Sequence, residues 1–133
     1  MTDIRPEKIA YMEMIQRAID RMAGESARMK SYALVATAAV LSTAAATETI
    51  PIALAGIVLL VVFWVLDAKY LAQERCFRDL YERARTRDGQ PDFVMTPDEE
   101  IRRRHELLQS FSGWSTAPLY GALILLSLIV ATI

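Results

Sequence analysis

The sequence contains very few of the residues from which metal sites and enzyme centres are built. Among its 133 residues there is one cysteine, Cys76, and one histidine, His105. A single cysteine excludes an internal disulfide and a zinc site made of several thiolates, and a single histidine excludes a multi-histidine metal site. No phosphate-binding glycine loop, serine-nucleophile motif or HExxH zinc motif is present. We therefore expect no metal, no cofactor and no catalytic residue, and a protein that is not an enzyme.

The sequence also lacks a polar stretch long enough to fold as a soluble domain. Its charge is confined to polar blocks that alternate with three apolar blocks, residues 31–47, 50–66 and 117–133. The polar pieces are too small for an independent enzyme core, whereas each apolar block is close to the length that crosses hydrocarbon about 30 Å thick. The first thirty residues include acids and no apolar core, so we expect no cleaved signal peptide. The pattern predicts an all-α membrane protein with three transmembrane helices.

Four segments follow from this pattern: an amphipathic cytoplasmic helix, a transmembrane hairpin, a cytoplasmic segment and a third transmembrane helix. They comprise residues 1–30, 31–67, 68–116 and 117–133. The first helix has apolar side chains at three- and four-residue spacing, so it either packs against a neighbouring helix or lies on the membrane surface. Gly24, followed by Ser26, is a point at which this helix bends or ends. The tight turn of the hairpin is expected at 47–51.

The second apolar block continues directly into a charged amphipathic helix. No glycine or proline lies between Asp67, which marks the exit from hydrocarbon together with Lys69, and Arg87. An apolar seam follows the charged half of this helix, and its members are Leu66, Tyr70, Phe77, Tyr81 and Ala84, with Leu80 beside them. After a loop at 88–92, Thr96 and Pro97 begin a short capped helix over about residues 97–112. The prediction is a second span that continues as a long cytoplasmic helix.

The first apolar block is unusually rich in small residues. Seven of its seventeen residues are alanine, with serine and threonine between them. Such a helix gains little from facing lipid and more from close contact with other helices. It is either a tightly packed interior helix or a helix that lines a narrow water-filled path through an oligomer. In the second case the pore-lining candidates are Thr37, Ser42 and Thr43.

The distribution of positive charge predicts the topology. All 15 lysines and arginines lie within residues 1–30 or 69–104, and the turn at 47–51 has none. Positively charged segments remain in the cytoplasm. We therefore expect a protein of the bacterial inner membrane, with the N-terminus in the cytoplasm and the C-terminus outside.

Most of these charges are arginines in the cytoplasmic segments. In a single chain they serve as orientation signals and surface ion pairs. In a ring of several copies they would form a positive chamber suited to a polyanion, with Tyr70 and Tyr81 available to stack on bases. The ligand-binding candidates are Arg17, Arg21, Arg28, Arg75, Arg78 and Arg85.

Two stretches, YMEMIQRAIDRMAGESARMKSY (11–32) and FWVLDAKYLAQERCFRDLY (63–81), resemble small bacterial membrane proteins of anti-phage defence operons. The most similar family in this respect is the membrane effector of the Hailong system. The resemblance covers a little over half of the chain. It implies a homo-oligomeric channel whose cytoplasmic mouth is closed by short single-stranded DNA made by a partner nucleotidyltransferase. Loss of the DNA during infection then opens the channel.

Two functions from different classes are consistent with these observations. The first is an oligomeric ion channel or pore-forming effector, gated by a nucleic acid or nucleotide at its arginine-rich cytoplasmic chamber. The second is a non-catalytic membrane anchor or assembly subunit, which recruits a cytoplasmic partner through residues 70–112. A transporter has little support, because we expect no buried charge in the spans.

Overall fold

The computed structural model describes residues 6–87, 93 and 108–132, and this part of the chain is helical, with no strand. Three long helices account for most of it: α1 is Pro6–Thr47, α2 is Ile50–Thr86 and α3 is Ala117–Thr132. A short helical turn over residues 108–111 precedes α3. The loop expected at 88–92 and most of the capped helix expected over 97–112 lie outside the described residues.

α1 is one helix of 42 residues, which corrects the expected division into an amphipathic helix and a separate first span. Gly24 lies inside the helix with no neighbouring atom near the position of a Cβ. A glycine within a helix costs only about 1 kcal/mol relative to alanine. Packing on both sides of Gly24 offsets this cost, because Ile15 before it and Ala33 after it are both buried against α2. The helix therefore continues for about 63 Å at about 1.5 Å per residue.

Residues 47–51 form the expected tight turn between the antiparallel helices α1 and α2. Glu48 has a φ of 50°, in the left-handed region, and Thr49 precedes the first residue of α2 with extended backbone. Pro51 lies in the first turn of α2, where a proline loses no helical hydrogen bond. α2 then continues for 37 residues. The predicted continuation of the second apolar block into a charged helix is confirmed.

The charged halves of α1 and α2 pack together as a two-helix stem, which we define as residues 6–29 and 68–86. Its core consists of Tyr11, Ile15 and Ile19 from α1, packed against Phe77, Leu80, Tyr81 and Ala84 of α2. At the tip of the stem, the Lys8 ammonium donates hydrogen bonds to the carbonyl oxygens of Arg85 and Arg87 at the end of α2. Of the two alternatives for the N-terminal apolar stripe, the structure has it packed against a neighbouring helix.

The apolar halves of α1 and α2 pack against α3. We define this apolar half as residues 30–47 and 50–67 together with α3. Its core consists of Ala33, Leu60, Tyr120 and Leu123, with Phe63 and Trp64 packed against it. α1 and α2 approach closely at Gly56, because a Cβ at this position would lie 2.7 Å from Cγ1 of Val40. Small residues therefore set the distance between the two helices here.

Two helices of the described chain, α1 and α2, contain segments long and apolar enough to cross a membrane. α3 is also apolar but has only 16 residues. Large apolar side chains are exposed on all three helices of the apolar half, among them Leu34, Val35, Leu54, Val58, Val61, Val62, Leu125, Leu126, Leu128 and Ile129. A surface of this kind is typical of a protein that contacts lipid or other apolar protein surfaces.

We expect Gly56→Ala to lower the free energy of unfolding by about 1–3 kcal/mol, because the added methyl group overlaps with Val40. Adding Val40→Ala should recover most of the loss. Gly24→Ala is the matched control, and we expect it to leave stability unchanged or raise it by up to about 1 kcal/mol. Unfolding by SDS in mixed micelles, followed by circular dichroism, measures these differences. Equal effects of the two glycine substitutions would contradict the close contact.

Candidate functional site

The three basic candidates on α1 share one exposed face of the stem. Arg17, Arg21 and Arg28 are all exposed. At about 100° per residue they point within about 40° of one another. The buried residues of α1 lie on the other side, against α2, and they include Tyr11, Ile15, Ala18, Ile19, Ser26, Ala33, Thr37 and Ala44. The arginines are therefore directed away from the rest of the chain.

Between Ala39 and Ala46 the same side of α1 is a surface of small and hydroxyl-bearing residues, and the exposed Tyr32 and Val35 separate it from the arginines. Ala39, Ser42, Thr43 and Ala46 are exposed, and each lies within about 60° of the direction of the arginines at about 100° per residue. This alignment depends on the continuity of α1, because a break near Gly24 would have removed any fixed register between its halves. We call the residues Arg17, Arg21, Arg28, Ala39, Ser42, Thr43 and Ala46 the outer face of α1.

The arginines of the outer face are only weakly held by their acidic neighbours. The Arg28 guanidinium lies 2.8 Å from Glu25, and that of Arg17 lies 3.6 Å from Glu13. Both are pairs within one helix that involve exposed arginines, and such pairs contribute a few tenths of a kcal/mol. Arg21 has no ion pair within the described part of the chain. An anionic ligand would therefore displace little when it binds these guanidinium groups.

The three basic candidates on α2 are placed differently. Arg78 binds the largely buried carboxylate of Glu74 at 2.6 Å, and Arg85 binds Glu82 at 2.9 Å. Arg75 reaches the segment before α3, where its guanidinium would lie 3.6 Å from a Cβ at Gly113. Within one chain the six predicted arginines therefore do not converge. Tyr81, expected to stack on bases, is packed against the core of the stem.

The structure also separates the three pore-lining candidates. Thr37 is buried, and its hydroxyl donates to the Ala33 carbonyl oxygen at 2.6 Å. Ser42 and Thr43 are exposed on the outer face, and their hydroxyls donate to carbonyl oxygens one turn earlier, at 2.7 and 3.0 Å. Such bonds satisfy the hydroxyl hydrogens within the helix, so these residues tolerate an apolar environment. Only Ser42 and Thr43 are placed to face a path outside the chain.

A buried polar cluster, absent from the sequence-based prediction, joins the three helices where the stem meets the apolar half. Asp67 of α2 has no exposed surface. Its Oδ1 accepts a hydrogen bond from the Ser26 hydroxyl at 2.5 Å and another from the Lys30 ammonium at 2.9 Å, both from α1. Tyr120 of α3 is also fully buried, and it contacts α2 one turn before Asp67, where its hydroxyl lies 3.4 Å from the Phe63 carbonyl oxygen. We call Ser26, Lys30, Asp67 and Tyr120 the polar joint.

The two charges of the polar joint form an ion pair across the α1–α2 contact. Oδ2 of Asp67 lies 2.8 Å from Nζ of Lys30. The contact does not have hydrogen-bond geometry, and Oδ2 has no hydrogen-bond donor within the described chain. The Lys30 side chain retains 21% of its exposed surface, whereas that of Asp67 has 0%. The carboxylate thus depends on Lys30 for its counter-charge.

Aromatic side chains enclose the α3 side of the polar joint. The indole of Trp64 stacks on the Tyr120 ring at 5.9 Å and meets the Phe111 ring edge-on, also at 5.9 Å. The Tyr120 hydroxyl lies 3.4 Å from the Phe63 carbonyl oxygen. These contacts connect the segment before α3, α3 itself and the last apolar turns of α2. Movement of α3 would therefore disturb both Trp64 and the polar joint.

The spacing of residues along α1 and α2 indicated the polar joint, although their charges alone did not. Asp67 follows the apolar Leu60 and Trp64 at spacings of four and three, so it lies on the inner side of α2. Ser26, Lys30 and Ala33 have the same spacing along α1. The sequence analysis placed Asp67 at the exit from hydrocarbon and did not predict its burial, because position at the end of an apolar block does not determine which side of a helix a carboxylate takes.

The described residues include no group of three or more histidine, cysteine, aspartate or glutamate side chains placed to hold a metal ion. Cys76 is partly buried in α2, and His105 lies outside the described residues. Comparison with protein-family models, curated proteins and solved structures gives no match. The function must therefore be inferred from the outer face of α1 and the polar joint.

We expect Asp67→Asn to lower the free energy of unfolding by about 1–3 kcal/mol, because it removes the charge that strengthens the hydrogen bonds from Ser26 and Lys30. Lys30→Met should cost at least as much, because the carboxylate that it leaves behind is fully buried. The double variant Lys30→Met/Asp67→Leu should be as stable as the wild type or more stable, since apolar residues replace a buried ion pair without loss. SDS unfolding in mixed micelles measures all three.

Glu82→Gln is the matched control, because it removes an exposed carboxylate from an ion pair within one helix. We expect it to change stability by less than about 0.5 kcal/mol. An effect of Asp67→Asn no larger than that of Glu82→Gln would contradict the burial of the ion pair.

Proposed function

We propose that the protein is a non-enzymatic membrane effector that assembles into a homo-oligomeric ion channel or pore, gated by an anionic ligand. The main observation in support of this proposal is the outer face of α1. Arginines of the stem lie in line with small and hydroxyl-bearing residues of the apolar half on one continuous helix, and none of them packs against the rest of the chain. One face of one helix thus combines an anion-binding surface with a surface suited to a narrow aqueous path.

The proposal includes three spans in a bacterial inner membrane. α1 and α2 are long and apolar enough to cross, and the 16 residues of α3 cover about 24 Å at about 1.5 Å per residue. Local thinning of the bilayer and flanking side chains that reach the interface accommodate a helix a few ångströms short of the hydrocarbon thickness. Because all lysines and arginines lie in the first thirty residues or in 69–104, the stem is placed in the cytoplasm and the C-terminus outside.

Self-association follows from the chemistry of the outer face. Ala39, Ser42, Thr43 and Ala46 offer lipid very little apolar surface, whereas small residues allow close approach of helices from neighbouring copies. When copies surround an axis with this face inward, Ser42 and Thr43 line the path through the membrane. The arginines of every copy then surround its cytoplasmic mouth. A ring multiplies a surface charge that is modest in one chain.

The ligand that fits this mouth is a polyanion that carries several phosphates. Arginine guanidinium groups bind phosphate through paired hydrogen bonds, and the outer face presents three of them along about three turns of helix. In line with the family resemblance, we propose short single-stranded DNA, or a nucleotide, made by a partner nucleotidyltransferase during anti-phage defence. Binding closes the channel, and loss of the ligand opens it. Base stacking would then need aromatic groups other than Tyr81.

A membrane anchor is the weaker alternative, because the apolar seam within the surface assigned to its partner is already packed inside the chain. Phe77 and Tyr81 of the apolar seam pack against the α1 half of the stem. Substitution of these residues would therefore abolish partner binding by unfolding the stem, without showing a direct contact.

Purification in detergent tests the proposal directly. We expect a mass of several chains per particle, an absorbance at 260 nm from co-purifying nucleic acid, and current in planar bilayers once the nucleic acid is removed by nuclease. A monomer that carries no nucleic acid and passes no current would contradict it.

We expect the triple variant Arg17→Gln/Arg21→Gln/Arg28→Gln to bind a fluorescent ten-nucleotide oligo-dT at least about tenfold more weakly, a loss of about 1.4 kcal/mol or more. The slope of log affinity against log salt should also fall by about 2, since about 0.7 counterions are released per neutralised phosphate of a single strand. Fluorescence anisotropy in detergent measures both quantities. Lys69→Gln, which removes an exposed cation from α2, is the control and should have a much smaller effect. Equal losses in the two variants would contradict a site on the outer face.

A further inference from the structure

At the level of the polar joint, polar side chains from all three long helices lie buried close together. Ser26 and Lys30 bind Asp67 from α1. From α3, Tyr120 stacks on Trp64, three residues before Asp67, and its hydroxyl lies 3.4 Å from the Phe63 carbonyl oxygen. The apolar core of the stem lies on one side of this level, and the core around Leu60 and Tyr120 lies on the other. The relative position of α3 and the α1–α2 hairpin is thus tied to the state of Asp67.

The two charges of the joint differ in their access to water. The Lys30 side chain is partly exposed, whereas that of Asp67 is fully enclosed. A lysine has a long flexible stem that can carry its ammonium to the aqueous layer while the methylenes remain in apolar surroundings. Asp67 has no such freedom. Separation of the pair therefore leaves an unpaired carboxylate inside the protein.

An unpaired carboxylate in this position would force the helices apart. Burial of a single ionised carboxylate costs several kcal/mol even after relaxation, so water has to reach it. We expect the contact on the α3 side to open, because there the fully buried Tyr120 stacks on Trp64, only three residues before Asp67. Withdrawal of Lys30 is thereby coupled to separation of α3 from α2.

A buried ion pair is not required for stability at such a site. Apolar side chains of similar size stabilise a protein as well or better, and ionisable residues beside membrane spans mark functional positions. The other ion pairs named above each join residues three or four apart in one helix. Lys30–Asp67 differs because it spans two helices and is screened from water.

We propose that the polar joint is a conformational latch. With Lys30 on Asp67 the three helices are held in the closed arrangement, and withdrawal of the Lys30 ammonium into the aqueous layer releases α3 from the α1–α2 hairpin. The assignment of the released state to an open channel rests on the function proposed above. The release itself is a property of the single chain and is measured separately.

Trp64 provides a local probe of the latch. In a Trp114→Phe background it is the sole tryptophan, and Trp114 is 95% exposed, so its removal should not disturb the fold. In this background we expect Lys30→Met to raise the quenching of Trp64 fluorescence by acrylamide. The upper reference is the quenching of the exposed Trp114, which is measured in a Trp64→Phe variant. The double variant Lys30→Met/Asp67→Leu should be quenched like the parent, and Lys30→Arg, which keeps the charge, should also resemble it.

The same variants in planar bilayers test the link to the channel. Lys30→Met should raise the open probability in saturating ten-nucleotide oligo-dT at least about tenfold, equivalent to a loss of about 1.4 kcal/mol of closed-state preference. The double variant should remain closed after nuclease treatment. If circular dichroism shows that Lys30→Met does not reach native helicity, Ser26→Ala is used in its place. We expect Ser26→Ala to raise the quenching of Trp64 by a smaller amount.

The two proposals fail in different ways. Unchanged Trp64 quenching in folded Lys30→Met and Ser26→Ala would overturn the latch, whatever the currents. Increased quenching in Lys30→Met, with no current from the wild type under any condition, would establish release of α3 and refute the channel. A double variant that opens like the wild type would overturn control of the channel by the latch.

Discussion

The long antiparallel contact between α1 and α2 is the constraint on which the other features depend. It packs residues before and after Gly24 against α2, so that α1 continues as one helix from the tip of the stem to the turn at Glu48. That continuity gives the arginines near one end of α1 a fixed register with the small residues near the other. The contact also brings Lys30 to Asp67. Without it, the charged and apolar segments would be independent elements with no defined relation.

α1 and α2 pack differently in the stem and in the apolar half. The first kind of packing is typical of soluble proteins and the second of membrane helices. In the stem, aromatic and branched side chains such as Tyr11 and Phe77 fill the space between the helices, as in a soluble protein. In the apolar half, Gly56 and Val40 bring the backbones close, as in membrane helices. The polar joint lies between these two kinds of packing. A change in the distance between α1 and α2 in the stem should therefore alter the contacts of Asp67 and the packing of the apolar half.

Much of the fold could be predicted from the sequence because it depends on local patterns. The apolar blocks, the turn before Pro51 and the apolar seam at Phe77 and Tyr81 follow from composition and spacing, and each appears where expected. Continuity of α1 was missed because it depends on packing with α2, which is distant in sequence. The burial of Asp67 was missed because its partners on α1, Ser26 and Lys30, lie 41 and 37 residues away. For the candidate site, the sequence identified the arginines of the outer face. It did not show that Arg78 and Arg85 form ion pairs with glutamates of α2, or that Arg75 reaches the segment before α3.

The pairing of residues at the two ends of the hairpin has a consequence for synthesis of the chain. The apolar face around Tyr11, Ile15 and Ile19 is covered by residues that begin at Phe77. Roughly sixty residues must therefore be added before this face meets its partner, which takes about 3–12 s at about 5–20 residues per second. During that interval the N-terminal segment is an amphipathic helix with an uncovered apolar side. The bilayer surface, beside which translation of a membrane protein takes place, is a natural temporary partner for it.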